Sequence, residues 1–238
     1  HSHLLAVRPE AQGRGLSVLL KLFQREWCLA RGIGLVTWTY DPFMVRNARL
    51  NLVRLGAVVP AFLPDFYGAI GGIYGDLPSD RFEAHWRLET GRVDRAVRGE
   101  PETVAPEEAA RLPVARAGAA GRAGVSHGRD DDPRRVARAR TQNAELTPSV
   151  KTQNAELTPS GVLPRVVLPF PGGFPGCFRG DLAAGRAARR RFGRTAAALF
   201  AAGYEAVSFV ERAEGPAYVL ARAATAPPRG GRRASQGR

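Results

Sequence analysis

Gln12-Gly13-Arg14-Gly15-Leu16-Ser17 is the stretch whose residue types and spacing can do chemistry, because two loop glycines stand directly before an amphipathic run. Loop glycines let backbone N–H groups approach an anion closely, and a helix that starts behind them leaves its first N–H groups unpaired. The helix dipole adds partial positive charge at the same place, and Arg14 is available as a further one. The natural guest is a pyrophosphate, as in a nucleotide or coenzyme A. Three side chains sit where expected strands open and can carry protons: His3, Asp41 and Tyr67. His3 has the unperturbed pKa best suited to a base near neutrality. Strand surface or a loop anchor is the alternative for each of the three, and the commoner one for such side chains.

Two rival cradles fit less well. A dinucleotide fingerprint needs G-x-G-x-x-G tight against its strand. Here Val18 stands where the third glycine belongs, and Gly13 lies well beyond Val7, although Asp41 does end the next expected strand. A P-loop needs Gly-Lys-Ser/Thr after four intervening residues, and the chain has no such sequence. A turn with no ligand is the remaining reading.

Elements on either side must position the loop. His1 to Val7 is short and apolar and reads as a strand, broken by Arg8-Pro9-Glu10-Ala11 because Pro9 cannot donate a ladder hydrogen bond. Leu16, Leu19, Leu20, Phe23 and Trp27 recur at helical spacing, which predicts a helix from Gly15 to Ala30 with Lys21, Gln24, Arg25 and Arg31 on its wet side. Leu35 to Tyr40 reads as a strand closed by Asp41-Pro42, Phe43 to Leu55 as a helix capped by Gly56, and Ala57 to Phe62 as a further strand. Arg81 to Glu89 alternates as a half-buried strand does. Further on, Val162 to Phe170 reads as a strand and Asp181 to Ala202 as a helix weakened by Gly185 and Gly193. Glu205 to Glu211 and Pro216 to Arg222 form a hairpin around Glu214-Gly215. Strand and helix alternate throughout, an α/β pattern.

Composition sets the outer limits. The 238 residues hold enough chain for one or two cored domains. No apolar run is long enough to span a membrane and no secretory signal is visible, so a cytoplasmic bacterial protein is the expectation. Cys28 and Cys177 make neither a metal pair nor a disulfide framework, and no metal is expected. The net charge of +13 invites nucleic acid, but residues 1–90 are nearly balanced and the excess lies after Gly91. It is almost all arginine amid Ala, Gly and Pro, so no specific nucleic-acid partner is expected. Gly91 to Gly161 loses periodicity and has few large apolar residues. Within it TQNAELTPS occurs at 141–149 and again at 152–160, which reads as a duplicated insertion, not a solenoid.

Strand, then V-x-P-x-x-Q-G-R-G, then helix resembles the acetyl-CoA loop of the GNAT superfamily of N-acetyltransferases, whose signature is Gln/Arg-x-x-Gly-x-Gly/Ala. Gln12 and Gly15 match it, and Ser17 departs from the last position. Leu55-Gly56-Ala57 resembles the Leu-Gly-Phe turn of that superfamily, and Val36 to Ala57 with DFYG and LPSDRF resembles an uncharacterised bacterial branch in which a second α/β portion follows. The resemblance covers most of 1–90 and 161–222. It implies an α/β fold of GNAT type, a mixed sheet with flanking helices followed by a C-terminal β-α-β-β portion. The portions would be 1–90, a linker over 91–160, 161–224, and a disordered basic tail over 225–238. Typical members begin with further strands and helices, none of which precedes His1. The resemblance therefore implies a domain without its early strands, or one completed by its own C-terminal half.

For chemistry, the resemblance implies transfer of an acyl group from acetyl-CoA, as cosubstrate, to a primary amine. It puts the thioester carbonyl beside the backbone of Leu5, Ala6 and Val7, and the pyrophosphate on Gln12, Gly13, Arg14, Gly15, Leu16 and Ser17. Asn47 and Asn51, one turn apart, would bond the pantetheine or else the neighbouring loop. The family's tyrosine acid is not carried over, because Leu52 occupies its position; Tyr67 is the candidate replacement. The partners expected are an acyl-CoA and an amine acceptor, with a homodimer left open and no membrane. A non-catalytic CoA-binding remnant is the alternative.

Overall fold

The computed structural model describes residues 1–68, 77–117, 123–126, 164–171 and 182–222. Helix α1 spans Leu16–Leu29 and leads into strand β1, Leu35–Tyr40, in which alternate residues Val36, Trp38 and Tyr40 are buried. A one-turn helix, α2 (Val45–Ala48), runs on into a π-helical segment, Arg49–Arg54, and then β2, Val58–Leu63. Strand β3, Arg81–Arg87, lies antiparallel between β1 and β2. Its Trp86 meets Trp38 edge to face at 6.1 Å, and the Trp86 indole N–H donates to the Leu55 carbonyl at 2.8 Å, satisfying the end of the π-helical segment. Gly56 turns the chain there with φ +67°. A Cβ at that position would lie 3.0 Å from both Ala96 Cβ and the Arg92 carbonyl, so glycine is required by conformation and by space.

Next come α3 (Gly91–Val97), α4 (Pro106–Arg111), β4 (Val114–Ala117) and β5 (Ala123–Ser126). After them follow β6 (Arg165–Pro169), α5 (Leu182–Ala201) and the hairpin β7 (Tyr204–Arg212) and β8 (Gly215–Arg222). The strands form one eight-stranded sheet in the order β1-β3-β2-β7-β8-β6-β4-β5. Only β4 and β6 pair in parallel among the described residues, so the sheet is mixed. The bridge Val59↔Ala206 joins β2 to β7, and with it the N-terminal and C-terminal portions, into one sheet.

α5 covers that sheet. Its Phe192, Ala196 and Leu199 are buried, and Phe192 packs among Phe43, Phe82, Phe170 and Tyr218. Gly193 earns its place in mid-helix, where a Cβ would sit 3.1 Å from the Phe62 ring. Glycine there costs helix propensity but lets α5 approach β2. The sequence-derived order β-α-β-β for the C-terminal portion is the order observed. The Asp181 cap, the basic tail over 225–238 and the duplicated TQNAELTPS lie outside the described residues.

Three expectations are corrected. His1 to Val7 forms no strand. One backbone hydrogen bond, Ser2 N–H to the Thr37 carbonyl at 2.8 Å, ties it to β1, and the chain then splays away from the sheet edge. Residues 91–117 are not coreless. Thr90 caps α3, whose Val93 and Ala96 are buried, and Val104 and Ala109 pack with Val167, Val210 and Val219 in a second small core. Third, α1 is turned over. Lys21 and Cys28 are buried, whereas Leu19, Phe23 and Trp27 are 58%, 67% and 46% exposed. The inward face is mixed: Cys28 and Leu29 join the main core, and the sheet edge gives Lys21 and Arg25 partners. Arg25 donates to the Leu88 carbonyl at 2.7 and 3.0 Å and pairs with Asp94.

Candidate functional site

Two glycines with positive φ, Gly13 at +79° and Gly15 at +76°, shape the loop before α1, and Gly15 is the helix N-cap. No heavy atom lies within 4 Å of where a Cβ would stand on either, so backbone conformation rather than packing calls for glycine. The first amides of α1 have no partner one turn earlier in the helix, and alternating left- and right-handed conformations gather such N–H groups into an anion-binding concavity. The loop bounds a cleft of about 240 Å³ lined by Leu5, Val7, Gln12, Gly13, Gly15 and Ser17 on one side and by Arg46, Asn47 and Leu50 on the other.

Gln12 locks the loop instead of facing a guest. Its side-chain amide donates to the Val7 carbonyl at 3.1 Å, and its Oε1 accepts from Arg46 Nη1 at 3.2 Å. Arg46 thereby brings a permanent cation to the cleft wall, a charge the sequence reading missed. Its signal was available: Arg46 is one residue before Asn47, on the helix already expected to face the loop. Arg14 and Ala6 are not among the residues lining the cleft.

A second cleft of about 190 Å³ adjoins the first, sharing Leu5, Asn47 and Leu50 with it. It is the gap that opens where residues 2–5 splay from Trp38, Thr39 and Tyr40 of β1, and His3, Asn51 and Lys21 complete its wall. Asn47 therefore touches both clefts and Asn51 one. Asn51 lies in the π-helical segment, which Leu55 N–H to the Leu50 carbonyl at 2.9 Å closes. Such turns recur at functional sites because they widen a helix locally.

Lys21 is the unforeseen member. It is 4% exposed, and its Nζ donates to Ser2 Oγ at 3.1 Å and to Gln24 Oε1 at 3.0 Å while standing 3.8 Å from the centre of the Trp38 ring. Burial pulls its pKa from the usual 10.5 down to about 8. No carboxylate pairs with it among the described residues. Helical periodicity had placed it in water because it reads a lysine as polar without asking what the sheet edge offers.

The three expected proton carriers part company. His3 lines the second cleft. Tyr67 is exposed, and its hydroxyl lies 3.3 Å from Thr39 Oγ1, so it stands beside a residue of that cleft. Asp41 is buried elsewhere. Its Oδ1 accepts from Phe43 N–H at 2.8 Å and its Oδ2 from Arg189 Nη2 at 2.9 Å, with both side chains at most 5% exposed. A carboxylate engaged in this way joins β1 to α5, and Asp41 lines neither cleft. Leu52, where the resemblance would place a tyrosine, is fully buried.

No helix among the described residues is long and apolar enough to cross a membrane. Against protein-family models, curated proteins and solved structures alike, the chain finds no match.

Proposed function

We propose that the chain binds an acyl-CoA in the two adjoining clefts and is a GNAT-like N-acyltransferase acting on a primary amine. The single observation that supports this most is the adjacency itself. A glycine-shaped anion cradle beside the cation of Arg46 runs into a narrower gap between an extended backbone segment and a strand edge. A pyrophosphate suits the first, and a pantetheine arm carrying a thioester suits the second. The donor set fits the guest: backbone N–H groups and a guanidinium for phosphate, and the Asn47 and Asn51 amides for the arm. Acetyl-CoA would supply the activated acyl group; the chain's own residues would orient it and hold the acceptor. His3 in the second cleft is the group available to take a proton from an incoming ammonium, and Tyr67 is the group available to give one.

The alternative, binding without turnover, draws on two observations. Leu52 is apolar and sealed in the core, and Asp41 is committed to Arg189. Both remove groups that transfer would use.

Thermal unfolding with and without acetyl-CoA tests the reading. At a ligand concentration of about 100 times the dissociation constant, binding adds roughly 2.7 kcal/mol, a rise of about 2–4 °C per kcal/mol for a chain of this size. Gly15→Glu puts a side chain and a negative charge into the cradle and is expected to abolish the rise. No rise in a cooperatively unfolding wild type would sink the acyl-CoA site. Release of free thiol in the presence of an amine panel then separates transfer from binding alone.

A further inference from the structure

We infer that Lys21 is itself an acyl acceptor: its side-chain amine, held in the second cleft beside Trp38, takes the acyl group from a thioester bound in the adjoining clefts. The inference rests on the acyl-CoA reading and goes beyond it by naming a covalent modification site on the chain.

Geometry carries it. Lys21 lines the same gap between residues 2–5 and β1 that a pantetheine arm would occupy, with its Nζ beside Ser2 and Trp38 of that wall. It is fixed there by Ser2 Oγ, Gln24 Oε1 and the Trp38 ring face, so its position does not depend on a flexible stem in solvent. Holding a nucleophile beside its electrophile is worth a large factor in rate. An ordinary lysine at pH 7.4 is unprotonated about one time in a thousand, whereas one at about 8 is unprotonated about one time in five. Burial therefore supplies the neutral amine that attack on a carbonyl needs.

The step balances without an oxidant or a metal. The ammonium first loses a proton to solvent, and the neutral Nζ attacks the thioester carbonyl. A C–N bond forms, the C–S bond breaks, the amine gives up a second proton, and the thiolate leaves and is protonated to the free thiol. The product is a neutral amide, which removes a charge from a buried site. It gives up the cation–π contact with Trp38 but retains an N–H for Ser2 Oγ or Gln24 Oε1.

The chain contains two lysines, Lys21 and Lys151, so the second is a built-in control. Wild type and Gly15→Glu are incubated with acetyl-CoA at pH 7 to 9, native and in urea, and the acetyl mass increment of 42 Da is mapped to peptides. The expected result is labelling of Lys21 at least tenfold over Lys151 in the native wild type. Its rate should rise with half-maximum near pH 8, and the preference should disappear in urea and in Gly15→Glu. Ligand-dependent thermal stabilisation is measured on the same samples. Stabilisation by acetyl-CoA with equal or no labelling of the two lysines overturns the acceptor role and leaves the binding site standing. Absence of both stabilisation and selective labelling overturns both. Selective labelling that survives Gly15→Glu overturns delivery through the cradle, and with it the inference.

Discussion

Two helices each bury one cation, and they do so in opposite ways. Helix α5 turns its apolar side, Phe192, Ala196 and Leu199, onto the sheet and sinks a single guanidinium, Arg189, into direct contact with the Asp41 carboxylate at 2.9 Å. Helix α1 turns its apolar side outward and sinks Lys21 among two neutral acceptors and an indole. The difference follows from what each cation can do. A guanidinium cannot shed its charge inside a protein, so its burial demands a counter-ion. An amine can shed its proton, so neutral partners are enough and the cost appears as a lowered pKa. The paired cation ties the two portions of the fold together. The unpaired one sits at a cleft, where a displaced pKa is of chemical use.

Breaking the α5 pair is the harshest test. Asp41→Ala leaves Arg189 buried without its carboxylate and is expected to cost about 3–5 kcal/mol by urea denaturation. Replacing both partners, Asp41→Leu with Arg189→Met, should recover most of that loss, because the pair fixes geometry more than it adds net stability. If Asp41→Ala were nearly neutral, the carboxylate would be free for other work, and its candidacy as a base would return.

The Lys21 site gives a smaller effect with a definite sign. Its folded pKa of about 8 lies below the unfolded value of 10.5. Between those values the unfolded chain holds a proton that the folded chain has lost, so stability rises with pH. Below about 8 both states are protonated and the slope vanishes; above 10.5 both are neutral and it vanishes again. The buried Tyr40 and Tyr218, whose pKa values burial pushes up, act in the opposite sense above about pH 10 but equally in wild type and variant. The stability of wild type relative to Lys21→Met should therefore climb by on the order of 1–2 kcal/mol from pH 8 to 10.5, once screening by cleft water is allowed for. A flat difference over that range would mean that Lys21 keeps an ordinary pKa, and the reactive-amine argument would lose its support.

The same contrast explains what was legible in the sequence. Strands β1, β3, β7 and β8 were readable because alternation on a sheet fixes which residues point to the core, and a large core selects bulky ones such as Trp38, Phe82 and Trp86. The glycine loop before α1 was readable because Gly13 and Gly15 mark a backbone conformation, not a packing environment. Helical periodicity, by contrast, says which residues share a face and not where that face points. At the open edge of a sheet, with a tryptophan ring and a free Leu88 carbonyl on offer, the polar stripe of α1 found the better partners. Residues 91–117 were missed for another reason: a core built of Val93, Ala96 and Ala109 does not stand out from an Ala- and Arg-rich background. Lys21 was missed as a site residue because its role depends on the splay of residues 2–5, which no local pattern encodes, whereas Arg46 had a local signal in its place beside Asn47.

The mildest change sharpens the comparison from the outside. Phe23 and Phe192 are the same residue on the two helices, one 67% exposed and one buried. Phe192→Ala empties a site surrounded by four aromatic rings and is expected to cost about 3–5 kcal/mol. Phe23→Lys changes a side chain that is mostly exposed and is expected to shift stability by about 0.5 kcal/mol or less. Trp27 stacks on its own Arg31, 3.9 Å from ring centre to guanidinium. Both variants can be read by urea midpoint under one set of conditions. A cost for Phe23→Lys approaching that of Phe192→Ala would mean that the outward face of α1 is covered in solution. The turned-over helix would then be half of a larger packing arrangement, not a surface. A near-zero cost together with unchanged sedimentation would establish that α1 is held by its inward face alone, through Lys21, Arg25, Cys28 and Leu29.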